Sequence, residues 1–251
     1  MNARELSGRV ALVTGAGRNI GRAIALGLAD GGAAIIVNAR SSRAEVEAVA
    51  REIEAAGGQA LAFLADVVDA AAVERMVTAA VDRFGRLDML INNAAIRKEA
   101  PFDQLTATEW RAVTATILDG AYNCAKACMP HLRASGVGAI VNIGGLSAHT
   151  GARHRAHVVA AKAGLVGLTR ALAHDLAGDN VTVNCVAPGL IDTLRGAASP
   201  VAPDHHHTNR TVSGQRGSPD DVAAAVRFLC GPGARYVTGQ TVHVNGGAFL
   251  S

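Results

Sequence analysis

The chain has 251 residues, 49% apolar and 18% charged, enough for one sizeable α/β core and read here as a single domain over 1–251. Its 24 basic and 21 acidic residues leave +3, and with 3% aromatics no basic run is interleaved with rings, which argues against nucleic acid as a partner. No stretch offers 18 uninterrupted apolar residues and the charged segment Met1–Arg9 has no apolar core, so the protein is expected to be unexported, cytoplasmic and without a membrane span.

Val10–Val13 is an apolar run of strand length that breaks at Thr14-Gly15-Ala16-Gly17 into a segment with Ile20, Ala23, Ile24 and Leu28 at helical spacing. Gly15 and Gly21 let the backbone turn sharply and approach a ligand closely. The turn gathers free N–H groups at the positive end of a helix dipole, a site for a phosphate or pyrophosphate. A second strand at Ile35–Val37 completes a β-α-β unit of the dinucleotide-binding kind.

Strands and helices then alternate to the end. Ser42 and Glu45 are spaced as a capping box for a helix with Val46, Val49, Ala50 and Ile53 on its apolar face. Strand Ala60–Ala65 follows, then a helix capped by Asp69 and closed by Gly85, then strand Leu87–Asn92. Thr106 and Glu109 form a second capping box opening a long helix toward Leu132, followed by strand Ala139–Ile143, a helix from Arg155 to Ala177, and strand Val181–Val186. Residues 188–217 are one long irregular segment, expected to be a substrate lid, and the run Asp204-His205-His206-His207, which could in principle bind metal, is read as part of a mobile polar lid with no metal site expected. Ser218-Pro219 caps a last helix and Thr241–Val244 is the final strand. Seven strands alternating with helices argue for a doubly wound parallel sheet with helices on both faces. Cys124, Cys128, Cys185 and Cys230 contain no CxxC pair and no His accompanies Cys124 and Cys128, so neither disulfides nor a metal site is expected.

The first turn resembles the TGxxxGxG turn of the short-chain dehydrogenase/reductase family, with Asn19 where that family usually has Gly or Ala. Asn tolerates left-handed backbone better than most residues. Asp66-Val67 looks like the family's adenine-contacting pair, and Asn92-Asn93-Ala94-Ala95 resembles NNAG with Ala95 in place of Gly. Pro188-Gly189-Leu190-Ile191-Asp192-Thr193 resembles the PGxIxT segment flanking the nicotinamide, and Thr238-Gly239-Gln240 with Asn245-Gly246-Gly247 resembles the C-terminal signature. The resemblance covers nearly the whole chain. It implies a Rossmann-type fold and cofactor contacts at Gly15, Arg18, Asn19, Ile20, Gly21, Arg40, Asp66, Val67, Asn93, Ala94, Ala95, Lys162, Pro188, Gly189, Ile191 and Thr193.

Aligned on Lys162, the family's catalytic tyrosine falls on Val158, its serine on Gly145 and its structural asparagine on Ile117. Of the four catalytic positions only Lys162 is kept. Valine, glycine and isoleucine cannot donate a proton or orient a carbonyl. Candidate substitutes are Ser147, two residues beyond Gly145 and on the same side if the strand stays extended, and the histidines beside Val158. His154 shares the face of Val158 if the helix starts early enough, whereas His157 is rotated about 100° away. At the end of the second strand stand Asn38-Ala39-Arg40-Ser41, with Arg18 in the first turn; two arginines facing a 2′-phosphate favour NADP(H) over NAD(H).

Three readings stay open at this point: an NADP(H)-binding oxidoreductase acting on a small organic substrate without the usual tyrosine; a non-redox enzyme reusing the pocket through His154 or His157; and a catalytically silent subunit. Ala156, Ala160, Ala163, Gly164 and Gly167 give the helix around Lys162 a small-residue face suited to packing between copies, so a homodimer or homotetramer is expected.

Overall fold

The computed structural model describes residues 4–194 and 211–250. Seven strands, β1 (Val10–Val13), β2 (Ala34–Ala39), β3 (Ala60–Leu64), β4 (Met89–Asn92), β5 (Ala139–Ile143), β6 (Thr182–Pro188) and β7 (Thr241–Val244), pair in parallel in the order β3-β2-β1-β4-β5-β6-β7. Strands β1, β4, β5 and β6 are buried along their whole length, so they do not alternate between apolar and polar; their buried asparagines are paired inside, Asn92 with Asn142, Asn142 with Thr169, and Asn184 with the Val237 carbonyl. Strand ends move by one or two residues from the expected limits; β4 begins at Met89 because Leu87 and Asp88 lie outside the ladder, with Asp88 accepting from Val10 N at 2.8 Å.

Helices α1 (Asn19–Asp30), α2 (Arg43–Ala55) and α8 (Pro219–Cys230) cover one face of the sheet, and α3 (Ala70–Phe84), α5 (Gly120–Ser135) and α7 (Ala156–Asp175) the other. The two apolar faces become two cores, one built on Leu12, Ile36 and Leu90, the other on Val13, Ile35 and Ile91. By length and composition α7 is apolar enough to cross a membrane, but here it packs on β6 and α4 (Ala107–Thr114) with Val158, Ala161, Leu165 and Val166 buried.

Three of the four expected N-caps form. Asp69 accepts from Ala72 N at 3.0 Å, and Thr106 with Glu109 and Ser218 with Asp221 close reciprocal boxes. The Ser42–Glu45 box does not: Ser42 makes no side-chain cap, and Glu45 turns to the first glycine turn, where a Cβ on Gly17 would stand 3.1 Å from its Oε2. The long helix expected from Thr106 is interrupted by a π turn over Ala115–Asp119 before continuing as α5. That extra residue in the turn drives Ile117 into a cluster with Val113, Ala121, Val158, Ala161 and Leu165.

The strand order reverses between β1 and β4, so the crevice outside their carboxyl ends is where a ligand sits in a sheet of this kind. The segments kept at that edge are the first turn, residues 93–99, the β5–α7 connection and residues 188–194.

A glycine cradle and a cleft around Lys162

The turn after β1 is built by backbone constraints. Gly15 has φ +62°, and a Cβ at Gly21 would overlap the Gly15 carbonyl oxygen and the Asn93 amide, so no side chain fits where α1 begins. Asn93 sits beneath, its Nδ2 donating to the Thr14 and Gly15 carbonyls at 2.9 Å while its own N–H donates to Thr14 Oγ1. Asn93 and Ala94 thereby hold the turn's shape. The N-cap of α1, Arg18, makes no side-chain cap, and Asn19 adopts φ +51°, the left-handed conformation its residue type tolerates. The uncapped amides and the helix dipole face the crevice on a turn that two glycines allow to pack closely, a cradle that suits a pyrophosphate.

Asn19 does more than fill the missing glycine. Its Nδ2 donates to Leu194 O at 2.9 Å and its Oδ1 accepts from Leu194 N at 2.8 Å, bracketing the first turn to the segment after Pro188. In that segment Gly189 N donates to Val244 O at 2.9 Å, and a Cβ on Gly189 would come within 2.6 Å of Asn245. Ile191 bridges Gly217, Asp192 pairs with Arg216, and Thr193 Oγ1 accepts from Arg97 at 3.4 Å. Both described ends of the expected lid are thus stitched down; the run Asp204 to His207 lies outside the described residues. Asp66 and Val67 follow β3 on the same edge, Asp66 accepting from Val68 N and Val67 packing on Gly120. Arg18 and Arg40 are exposed, and neither forms an ion pair among the described residues.

Beyond the cradle a cleft opens between Ile20, Ala95 and Ile191 on one side and Gly145, Ser147, Val158 and Lys162 on the other. Lys162 reaches it from α7 and donates to the Ile143 carbonyl. Burial, reinforced by the nearby charges of Arg97 and Arg155, pulls its ammonium down from 10.5 to about 8. Val158, one turn before it, is buried at the cleft wall, and a Cβ on Gly145 would meet nothing within 4 Å. The wall at these two positions is apolar on one side and empty on the other. Ser147 lines the cleft, though not by the expected extension: the chain turns at Leu146 into a short helix, α6 (Ser147–Thr150).

The two histidines are not brought to this cleft. His154 has φ +60° and lies before α7, whose N-cap is Arg155, so the early helix start that would align it with Val158 is absent. It lines a neighbouring chamber instead. His157 is inside α7 and completely buried, with neither ring nitrogen hydrogen-bonded, and burial lowers its pKa. In their place the cleft is lined by Arg97, Lys98, Glu99 and Arg155, four residues the sequence reading passed over. Arg155 stands three residues before Val158, a helical spacing that marks it as a neighbour of that face.

A lysine buried at about 8 destabilises the fold at neutral pH. The unfolded chain holds that proton up to 10.5, so the cost, on the order of 3 kcal/mol, is complete below pH 8 and is relieved as pH rises from 8 to 10.5. Lys162→Met should therefore raise stability at pH 7 by on the order of 1–3 kcal/mol, the lost bond to Ile143 offsetting part of the gain. Thermal unfolding at pH 7 and again near pH 10 checks this: the advantage of the variant should shrink at the higher pH, and an equal or larger advantage there would contradict it.

Comparison with known proteins agrees with this architecture. A family model described as enoyl-(acyl carrier protein) reductase matches residues 15–248. The chain is 40% identical over 241 residues to the 3-oxoacyl-(acyl-carrier-protein) reductase FabG of Staphylococcus aureus strain Mu50, covering 96% of this chain and 98% of the relative. It is 37% identical over 245 residues to the (2S)-((R)-hydroxy(phenyl)methyl)succinyl-CoA dehydrogenase subunit BbsD of Thauera aromatica, covering 98% of each. Among solved structures, a short-chain dehydrogenase of Burkholderia cenocepacia J2315 in complex with NADP superposes with a TM-score of 0.89 at 36% identity, covering 97% of this chain and 99% of that one. With a family model and relatives of this identity spanning nearly its full length, the chain belongs to the short-chain dehydrogenase/reductase family.

Proposed function

We propose that the protein binds NADP(H) in the glycine cradle and acts as an oxidoreductase on a small organic substrate without a tyrosine acid. The observation that carries this reading is the pairing of an intact cradle with a cleft wall of Val158 and empty space at Gly145. A Cβ at Gly21 would overlap the Gly15 carbonyl oxygen and one at Gly189 would overlap Asn245, so both glycines are needed for the close backbone packing that shapes the cradle, and a relative of known structure holds NADP. Gly15, Asn19, Ile20 and Gly21 would face the pyrophosphate, Asp66 and Val67 the adenine, and Lys162 with Pro188, Gly189, Ile191 and Thr193 the nicotinamide half. The bound cofactor supplies the hydride chemistry. Arg18 and Arg40 would pair with a 2′-phosphate, while Glu45, turned to Gly17 at the same rim, limits how close an anion comes.

Of the family's four catalytic positions, this reading keeps Lys162 and loses those at Ile117, Gly145 and Val158. Val158 offers no hydroxyl beside Lys162, and His154 and His157 do not reach the cleft, so of the candidate substitutes only Ser147 lines it, which favours substrates that need little proton transfer from the protein, such as a cationic iminium or an activated enone. Titration with NADPH and NADH, following nicotinamide fluorescence, tests the cofactor reading. NADPH should bind, and more tightly than NADH; absence of binding to either would overturn it.

The assembly reading rests on exposed residues of α7 and α5. Ala160, Ala163 and Gly167 leave a smooth exposed strip on α7, and Tyr122 is half exposed on α5, whereas Gly164 is already used against Leu118 within the chain. A dimer or tetramer joined on this strip should appear by light scattering at micromolar concentration, and Gly167→Trp should dissociate it. A wild-type mass near 25.6 kDa would remove the proposal.

A further inference from the structure

Lys162 is only 7% exposed, yet its ammonium has three donors and, among the described residues, one hydrogen-bond acceptor, the Ile143 carbonyl. No carboxylate forms an ion pair with it among those residues. Burial is the main reason its pKa falls to about 8; the Cys185 thiol opposes the fall, and the cations Arg97 and Arg155 add to it. The side chain lines a cleft of about 140 Å³ together with Val158, Gly145 and Ser147. Val158, one helical turn before it, offers no phenol to share the amine, and the space at Gly145 is open. A desolvated lysine beside other cations and without a carboxylate partner is the arrangement that yields an amine nucleophile at neutral pH. At pH 7 a lysine at about 8 is unprotonated roughly one time in ten, against roughly one in 2,500 for an ordinary lysine.

We propose that Lys162 is a covalent nucleophile toward aldehydes and ketones of a few carbons, condensing with the carbonyl to an iminium that labilises the neighbouring C–H bonds. The ammonium first gives a proton to water, and the amine nitrogen then adds to the carbonyl carbon. The carbonyl oxygen takes one proton from that nitrogen and the other back from water, and leaves as water. Ammonium plus carbonyl thus becomes iminium plus water, with no oxidant or reductant. An α-proton next passes to water while its bond pair forms C=C and the C=N pair settles on nitrogen. Reprotonation at carbon and hydrolysis return the carbonyl compound and the lysine. The small cleft limits the carbonyl to a few carbons. In the oxidoreductase reading above the nicotinamide half lies against Lys162, so this chemistry belongs to the nucleotide-free cleft and does not rest on that reading.

The chain carries its own controls, because its other lysines are Lys98, ion-paired with Glu109, and Lys126, exposed on α5. The probe is acetone, added to the full-length protein without nucleotide. With cyanoborohydride at pH 7, peptide mass spectrometry should place the isopropyl adduct on Lys162 at least tenfold above Lys98 and Lys126. In deuterium oxide, proton NMR should show the methyl protons of acetone exchanging at least tenfold faster with the wild type than with Lys162→Met, after subtraction of the buffer rate. That exchange should rise with pH and level off above about 8, where the amine is free. The adduct distribution needs no variant, so it decides the matter even if Lys162→Met fails to fold. An adduct shared equally with Lys98 and Lys126, or absent from Lys162, would overturn the proposal, as would exchange at the wild-type rate in a folded Lys162→Met. No nucleotide is present, so these outcomes are separate from the NADPH titration that tests the oxidoreductase reading.

Discussion

The wild-type protein should reduce an ordinary ketone with NADPH 10²–10⁴-fold more slowly than dehydrogenases with a positioned general acid, whose turnover is typically about 1–10³ per second. The alkoxide forming at the cleft wall would meet the methyl groups of Val158 and the empty space at Gly145, with no phenol and no serine hydroxyl at those two positions; Ser147 and the Lys162 ammonium are among the polar groups left in the cleft. That loss corresponds to roughly 3–5 kcal/mol of barrier. Replacing Gly145→Ser, Val158→Tyr and Ile117→Asn together should recover at least tenfold of it. The serine enters open space, whereas the tyrosine and asparagine must displace the packing of Val158 and Ile117 against Val113 and Ala161, which keeps the recovery partial. His154→Ala and His157→Ala should leave the residual rate unchanged. A tenfold drop from either would return a histidine to the mechanism despite its place outside the cleft. Steady-state rates for the wild type and these three variants decide the matter.

Arg40→Asp should reverse the cofactor preference. Each charge-assisted contact to a 2′-phosphate contributes on the order of 1–2 kcal/mol, so losing one and setting a carboxylate in its place should cost NADPH at least tenfold while leaving NADH bound as before or better. Glu45→Gln tests the same rim from the other side, because its carboxylate lies against Gly17 where the phosphate would approach; that change should strengthen NADPH and leave NADH unchanged. Fluorescence titrations of both variants give the ratios. A wild-type preference retained in Arg40→Asp would show that Arg40 does not contact the phosphate.

The fold was legible because its signals are local. Apolar runs bounded by glycine mark strands buried on both faces, and the sequence spacing of Asp69, Thr106 and Ser218 marks helix starts that the chain uses. The Ser42–Glu45 pair carries the same spacing and fails, since Glu45 has a competing position against the glycine turn that only the packed structure creates. The site was legible where a motif fixes the backbone, at Gly15, Gly21, Asn93 and Gly189. It was illegible where contacts span the chain: Asn19 meets Leu194 across 175 positions, and Arg97 meets Thr193 across 96. The histidines were misjudged for a different reason. Their placement depends on where α7 begins, and the positive φ of His154 takes that residue off the helical face.

One mixing experiment addresses both halves of the proposal that a cofactor cradle stands beside a cleft lacking the family's tyrosine acid. Protein titrated with NADPH to saturating nicotinamide fluorescence is mixed with excess ketone, and the reduced-nicotinamide absorbance is followed. Saturable fluorescence enhancement is expected, followed by absorbance that decays at least a hundredfold more slowly than ordinary dehydrogenase turnover. Decay at about 1–10³ per second, or no fluorescence change on adding NADPH, would contradict it.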